Sequence, residues 1–170
     1  AGSFNTLREF TPFDALFWLL AALCLPTAER LPAERRRLVA GGAMAAGLAG
    51  VVIATMAAVA EFHHDSGMKT ASPLERADRM SAAIAAWPAH WLARVELAGA
   101  YLAIAGDAGD EGATFAANAE KHLGRVLVQR PHLLPALVMS ERALKVLGRD
   151  GDASKRRDRI REIAPWHPLR

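Results

Sequence analysis

The stretch LVAGGAMAAGLAGVVIATMAAVA, residues 38–60, runs for 23 residues without a charge. At the rise of an α-helix it covers about 35 Å, enough to cross the roughly 30 Å hydrocarbon core of a bilayer, and it is read as a membrane span. A second apolar run, PFDALFWLLAALCLP, occupies Pro12–Pro26, and the residues between the two runs include Arg30, Arg35, Arg36 and Arg37. The expectation is a transmembrane hairpin over residues 1–61, with spans at 11–27 and 38–60 and a connecting loop at 28–37.

The arginines also orient the hairpin. Short loops rich in Lys and Arg stay on the cytoplasmic side, whereas the outer flanks carry only Arg8 on one side and Lys69 nearby on the other. Both ends of the chain are then expected outside the inner membrane of a bacterium, with everything after Glu61 in the periplasm. The second span is rich in small residues, with Gly42, Ala46 and Gly50 four apart and Gly47 on the adjacent ridge. Rows of this kind let helices approach closely in lipid, which points to further transmembrane helices or a dimer partner as neighbours. In the first span, Asp14 is placed to cap the helix starting at Ala15, and Phe13, Phe17 and Trp18 suit an interfacial aromatic belt.

The formal charge of +3 over 170 residues divides as +1 for residues 1–60 and +2 for the remainder, too weak an excess to imply nucleic acid. The only cysteine, Cys24, lies inside the first apolar run, so no intrachain disulfide can form. The start AGSFNTLREF has no basic n-region and sets both Arg8 and Glu9 before the first apolar run, unlike a signal peptide. It is read as the abrupt beginning of a piece of a longer membrane protein, with a cleaved signal as the alternative.

After an expected linker at 62–72 the pattern becomes helical, with no convincing strand alternation. Helices are expected near 73–87, 90–105, 113–130, 133–147 and 151–163, punctuated by Pro88, Pro131 and Pro165. The step from Pro131 to Pro165 is 34 residues, the period of the tetratricopeptide repeat, and that from Pro88 to Pro131 is 43. In the last unit Gly148 falls at the turn between two helices and Ala153 at the close-packed start of the second. In the unit before it, Leu97, Ala98 and Tyr101 stand in for an L-G-x-x-Y element and Ala119 takes the small second-helix position. The nine extra residues fall within GDAGDEGATF, where a loop absorbs them. Residues 73–170 thus resemble a tetratricopeptide domain, and the expected fold class is all-α: a membrane hairpin followed by a helical repeat. Leu97, Tyr101, Ala119, Gly148 and Ala153 are packing positions around the repeat groove, not chemistry.

Two clusters have the residue types of a site. His63, His64 and Asp65 suit a transition metal, but adjacent side chains in a linker point apart, so a polar juxtamembrane linker is the expected reading and no metal is assigned. KRRDRIR, residues 155–161, offers Lys155, Arg156, Arg157, Arg159 and Arg161 to anionic lipid, a pyrophosphate or an acidic glycan. The plainer reading is an exposed last helix whose cations complement its C-terminal dipole. His90, His122, His132 and His167 have no ligand spacing and are expected at helix ends or on the surface. Asp107, Asp110 and Glu111 form an acidic turn expected to cap the next helix, with too few oxygens for a calcium loop. No phosphate loop, nucleophile elbow or paired-cysteine motif is present, and neither a cofactor nor a catalytic residue is assigned.

The layout, with Pro12, Phe17, Trp18, Leu19 and Leu20 in the first span and a repeat domain behind the second, resembles the C-terminal part of bacterial O-antigen ligase/polymerase-family membrane proteins, including the protein-glycosylating ligases. The resemblance implies transfer of a glycan from a polyprenyl-diphosphate carrier. The family's important arginines and histidine precede these spans, so this chain would supply scaffold and a groove for a protein or glycan acceptor. The alternative is a membrane-anchored repeat protein that acts as an assembly factor without enzyme chemistry.

Overall fold

The computed structural model describes residues 32–166, and every element among them is helical. Six α-helices follow in order: α1 (Ala33–Met68), α2 (Pro73–Ala86), α3 (Trp91–Asp107), α4 (Gly112–Gln129), α5 (Leu134–Val146) and α6 (Asp150–Ile163), with a 3-10 turn at Gly109–Glu111 before α4. The chain divides into two compact units, Ala1–Ala54 and Thr55–Arg170. The first expected span, with Asp14, Phe17, Trp18 and Cys24, lies outside the described residues, as does His167.

In the first unit α1 is long and apolar enough to cross a membrane. Leu38, Met44, Leu48, Val51, Val52 and Ile53 are all exposed, and a Cβ added at Gly41, Gly42 or Gly50 would meet open space. Among the described residues nothing covers these side chains. The bounds of α1 correct the sequence reading at both ends. Residues 33–37, expected in the loop, form its first turns with Arg35 and Arg37 exposed, and 62–68, expected in the linker, form its last turns. The extension has a packing cause: Gly67 lies so close to α2 that an added Cβ would stand 2.8 Å from Met80 Cε and 2.9 Å from Arg79 Cβ.

In the second unit α2 to α6 begin and end within about two residues of the expected positions. Three helix ends share one geometry. Trp87, Arg130 and Ala164 have φ near −136°, −133° and −140°, each donates its N–H to the carbonyl four residues back, and each precedes a proline. Pro88, Pro131 and Pro165 force that extended residue and end the helix. The next helix starts three residues later in both cases where one is described, at Trp91 and Leu134. Ala93 and Ala136, then Ala100 and Ala143, occupy matching positions after the prolines and are all buried. The chain therefore repeats its local structure as well as its prolines.

Helix α3 is central. Ala93, Leu97 and Ala100 pack with Ala77, Met80 and Ala83 of α2, while Val95 and Ala98 join Ala119, Leu123, Val126, Leu127, Ala136, Leu137, Ala143 and Ile160 of α4 to α6. Tyr101 touches both clusters. Alanine lines nearly every crossing, which lets the helix axes approach closely.

Gly148 closes α5 in a Schellman turn: its N–H donates to Lys145 O (3.0 Å) and that of Arg149 to Leu144 O (2.9 Å), with Gly148 at φ +67°. A Cβ there would meet no neighbour, so Gly148→Ala imposes only the left-handed backbone penalty, about 1–2 kcal/mol. Chemical denaturation of the whole protein checks this; an unchanged midpoint would show that the turn relaxes. At the acidic turn before α4, Glu111 makes no side-chain capping bond.

Candidate functional site

Of the groove-packing residues, Leu97, Ala119 and Ala153 are buried, Tyr101 is half-buried between the two clusters, and Gly148 is in the turn described above. All five belong to core or turn.

The expected basic patch lies on α6, and its charges are largely consumed. Lys155 reaches Asp152 (3.1 Å) and Arg161 reaches Asp158 (3.4 Å), while Arg159 pairs with Glu162 and lies 3.0 Å from His132 Nδ1. Arg156 donates to Ser140 (3.1 Å) and stands 3.8 Å from Glu120, whose other oxygen accepts from Ser140 (2.7 Å). Arg157 donates two hydrogen bonds to Glu141 Oε1, at 2.7 and 3.2 Å, and Lys145 adds a third at 2.8 Å. Burial pushes the Glu141 carboxyl up, but the Lys145 and Arg157 donors outweigh it and leave it below its ordinary value. A shallow cavity of about 290 Å³ between these helices is lined by Glu120, Leu144, Arg149, Asp152, Lys155 and Arg156. Each charged group in that lining already has an opposite partner. The paired surface is thus poorly suited to capture an anion.

Unpaired positive charge gathers between α3 and α4 instead. Arg94 sits one turn into α3, and Lys121, His122 and Arg125 occupy the second half of α4. His122 is half-buried and Arg125 exposed. His122 is held down to about 4 by burial first, then by the charges of Arg94, Arg125 and Lys121. Arg94 is lowered by burial and then by Arg125. Among the described residues no carboxylate lies within ion-pair distance of Arg94, Lys121 or Arg125. Arg94 spends one guanidinium nitrogen on Pro88 O (2.6 Å), while its Nη1 and the Nδ1 of His122 are buried without a hydrogen-bond partner. Aromatic rings flank the same helix pair. Tyr101 lies 6.1 Å from His122 and 6.2 Å from Phe115, and Arg130 stacks over Trp91 at 4.2 Å.

This cluster between the two helices was not visible in sequence, where its cations are dispersed over 32 residues from Arg94 to Arg125. The spacing of Arg94 and Tyr101, seven apart on one helix face, is the only signal that could have marked it. His122 is also deeper than expected. His90 is at a helix end, capping α3 by accepting from Ala93 N–H (3.1 Å), yet its side chain is only 9% exposed and burial lowers its basicity against a weaker raising effect of a backbone hydrogen bond.

No protein-family model, no curated protein and no solved structure matches the chain.

Proposed function

We propose that this chain is the membrane-anchored, tetratricopeptide-like docking portion of a polyprenyl-diphosphate glycan ligase, with its repeat unit in the periplasm and its α3–α4 groove receiving an acidic segment of a protein acceptor. The single observation that carries the docking role is the uncompensated Arg94, Lys121, His122 and Arg125 cluster beside the Tyr101 and Phe115 rings. Arg94, partly desolvated and crowded by Arg125 without a counter-charge, is stabilised by an incoming carboxylate, and flanking rings supply rigid contact area. Anchoring is supported by α1, whose apolar sides are exposed and whose first turns present Arg35 and Arg37, as a cytoplasmic end does. The repeated helix ends at Trp87, Arg130 and Ala164 support the repeat architecture, and the first-span motif supports the ligase setting. The active centre belongs to other parts of such an enzyme.

The test uses the whole natural protein in membranes carrying the double substitution Arg94→Glu and Arg125→Glu. Two charge reversals facing an acidic segment are expected to raise the KM for protein acceptor about tenfold, some 1.4 kcal/mol, with maximal transfer nearly unchanged. By linkage, a bound carboxylate also raises the His122 pKa from about 4, which imidazole NMR reads directly. Unaltered KM and an unmoved His122 titration would rule out the groove. Absence of any glycan transfer by the wild-type protein, with the acidic partner still binding, would favour the non-enzymatic assembly factor.

A further inference from the structure

The last turns of α1 hold a second constellation. Glu61, His64 and Asp65, spaced i, i+3, i+4, each offer one ligand atom, and those atoms lie within 4.8 Å of one another. In a linker these side chains would diverge; on a helix they share one face. His64 is 8% exposed, its Nδ1 stands 3.8 Å from Asp65 Oδ1, and its Nε2 is buried without a hydrogen-bond partner. Two ligands held at about 2.1 Å by one tetrahedral ion are about 3.4 Å apart, so a movement of a few tenths of an ångström brings His64 and Asp65 onto a common cation.

His90, from the turn between α2 and α3, completes the surroundings. Its ring stacks on His64 with centroids 5.2 Å apart and planes 29° apart. Because its Nδ1 accepts the Ala93 N–H, its proton is assigned to Nε2, which lies 3.2 Å from Glu61 Oε1, off the line of a well-formed hydrogen bond. A nitrogen carrying that proton has no lone pair for a metal. His90 therefore stands outside the ligand set, with its Nε2 proton close enough to the Glu61 carboxylate to orient it once the contact straightens into a hydrogen bond.

We propose that Glu61, His64 and Asp65 bind one divalent first-row transition cation, with His90 as the positioning residue, at the point where α1 meets the α2–α3 turn. One imidazole and two carboxylates form a borderline-to-hard donor set, suited to zinc, cobalt or manganese and unsuited to copper(I). Asp65 is exposed, so the remaining coordination positions open to water and the ion exchanges with solution. The ion fastens the end of the apolar helix to the repeat through Glu61 and His90. This site is separate from the α3–α4 groove and stands or falls independently of the function proposed for it.

Chelator-stripped, detergent-solubilised full chain is titrated with Co²⁺, read by its visible ligand-field absorption, and with Zn²⁺ in competition. The wild type is expected to take up one equivalent of Co²⁺, displaced by Zn²⁺, and to melt at a higher temperature with Zn²⁺ present. Glu61→Gln, nearly isosteric, and His64→Ala abolish the visible bands. His90→Asn keeps an N-cap acceptor but loses the Nε2 donor, and lowers affinity about 10- to 100-fold without abolishing it. His132→Ala, on the opposite side of α3 in sequence, titrates as wild type. Far-UV dichroism without metal separates lost ligands from lost fold, and Glu61→Gln keeps the test decisive if His64→Ala unfolds. No ligand-field band in the folded wild type, or a wild-type titration by Glu61→Gln, overturns the proposal.

Discussion

Glu141→Gln is expected to lower the stability of the second helical unit by about 2 kcal/mol at neutral pH, roughly 10 °C in melting temperature for a domain of this size. Glu141 is 5% exposed and receives three hydrogen bonds, two from Arg157 on the neighbouring helix and one from Lys145 on its own. Glutamine keeps the volume but leaves two partly buried cations facing a neutral amide. Complete burial of both partners would set the cost at about 3–5 kcal/mol. Arg157 and Lys145 remain 33% and 42% exposed, so water recovers part of that loss.

The pH dependence distinguishes this origin from a packing fault. The carboxyl of Glu141 is depressed in the folded chain, so its stabilisation is complete above the ordinary value of 4.5 and disappears as pH falls through the lower folded value. The gap between wild type and Glu141→Gln therefore closes in acid. His122 pushes the whole protein in the same direction: with a folded pKa of about 4 against an ordinary 6.5, it binds fewer protons folded than unfolded, so stability falls as pH drops from 6.5 toward 4 in both proteins. Only the difference between the two melting curves isolates Glu141. A gap that stays constant from pH 7 to pH 3 would assign the cost to packing and not to charge.

The features legible in sequence are those that a few neighbouring residues decide. Pro88, Pro131 and Pro165 stop helices because they lack an N–H and restrict the residue before them, and Gly148 turns the chain because its backbone adopts positive φ; neither effect needs a tertiary partner. Uncharged length alone likewise marks α1 as a candidate span. The stretch FHHDSGM misleads, because its polar residues resemble a linker whereas it is held helical by Gly67 against Met80 and by His64 against His90. The same lack of distant information displaced the basic patch. Local counting makes KRRDRIR the most positive surface, but Glu120 on α4 and Glu141 on α5 cancel its inner arginines. Positive charge survives beside Arg94 and Arg125, where no carboxylate among the described residues arrives, and only the folded chain reveals which of those acids are already taken.

Two glycines of α4 test the packing with opposite signs. Gly112 opens the helix where α3 has just ended, and a Cβ on it would lie 2.7 Å from the Ala105 carbonyl oxygen. That neighbour is backbone, so no side-chain rotation relieves the clash and the α3–α4 turn itself has to move. Overpacking of this kind costs about 2–3 kcal/mol, and Gly112→Ala is expected to melt roughly 10–20 °C below wild type. Gly124 lies in the interior of the same helix, with no positive φ, and its Cβ would meet nothing within 4 Å. Alanine there lowers the entropy of the unfolded chain and favours the helix, so Gly124→Ala is expected to gain about 0.5–1 kcal/mol. The two sites are twelve residues, about 18 Å, apart along α4, and the double variant is expected to show the sum of the single effects. Equal responses at the two positions would mean that α4 does not meet the end of α3 as closely as described, since helix propensity alone predicts the same sign at both.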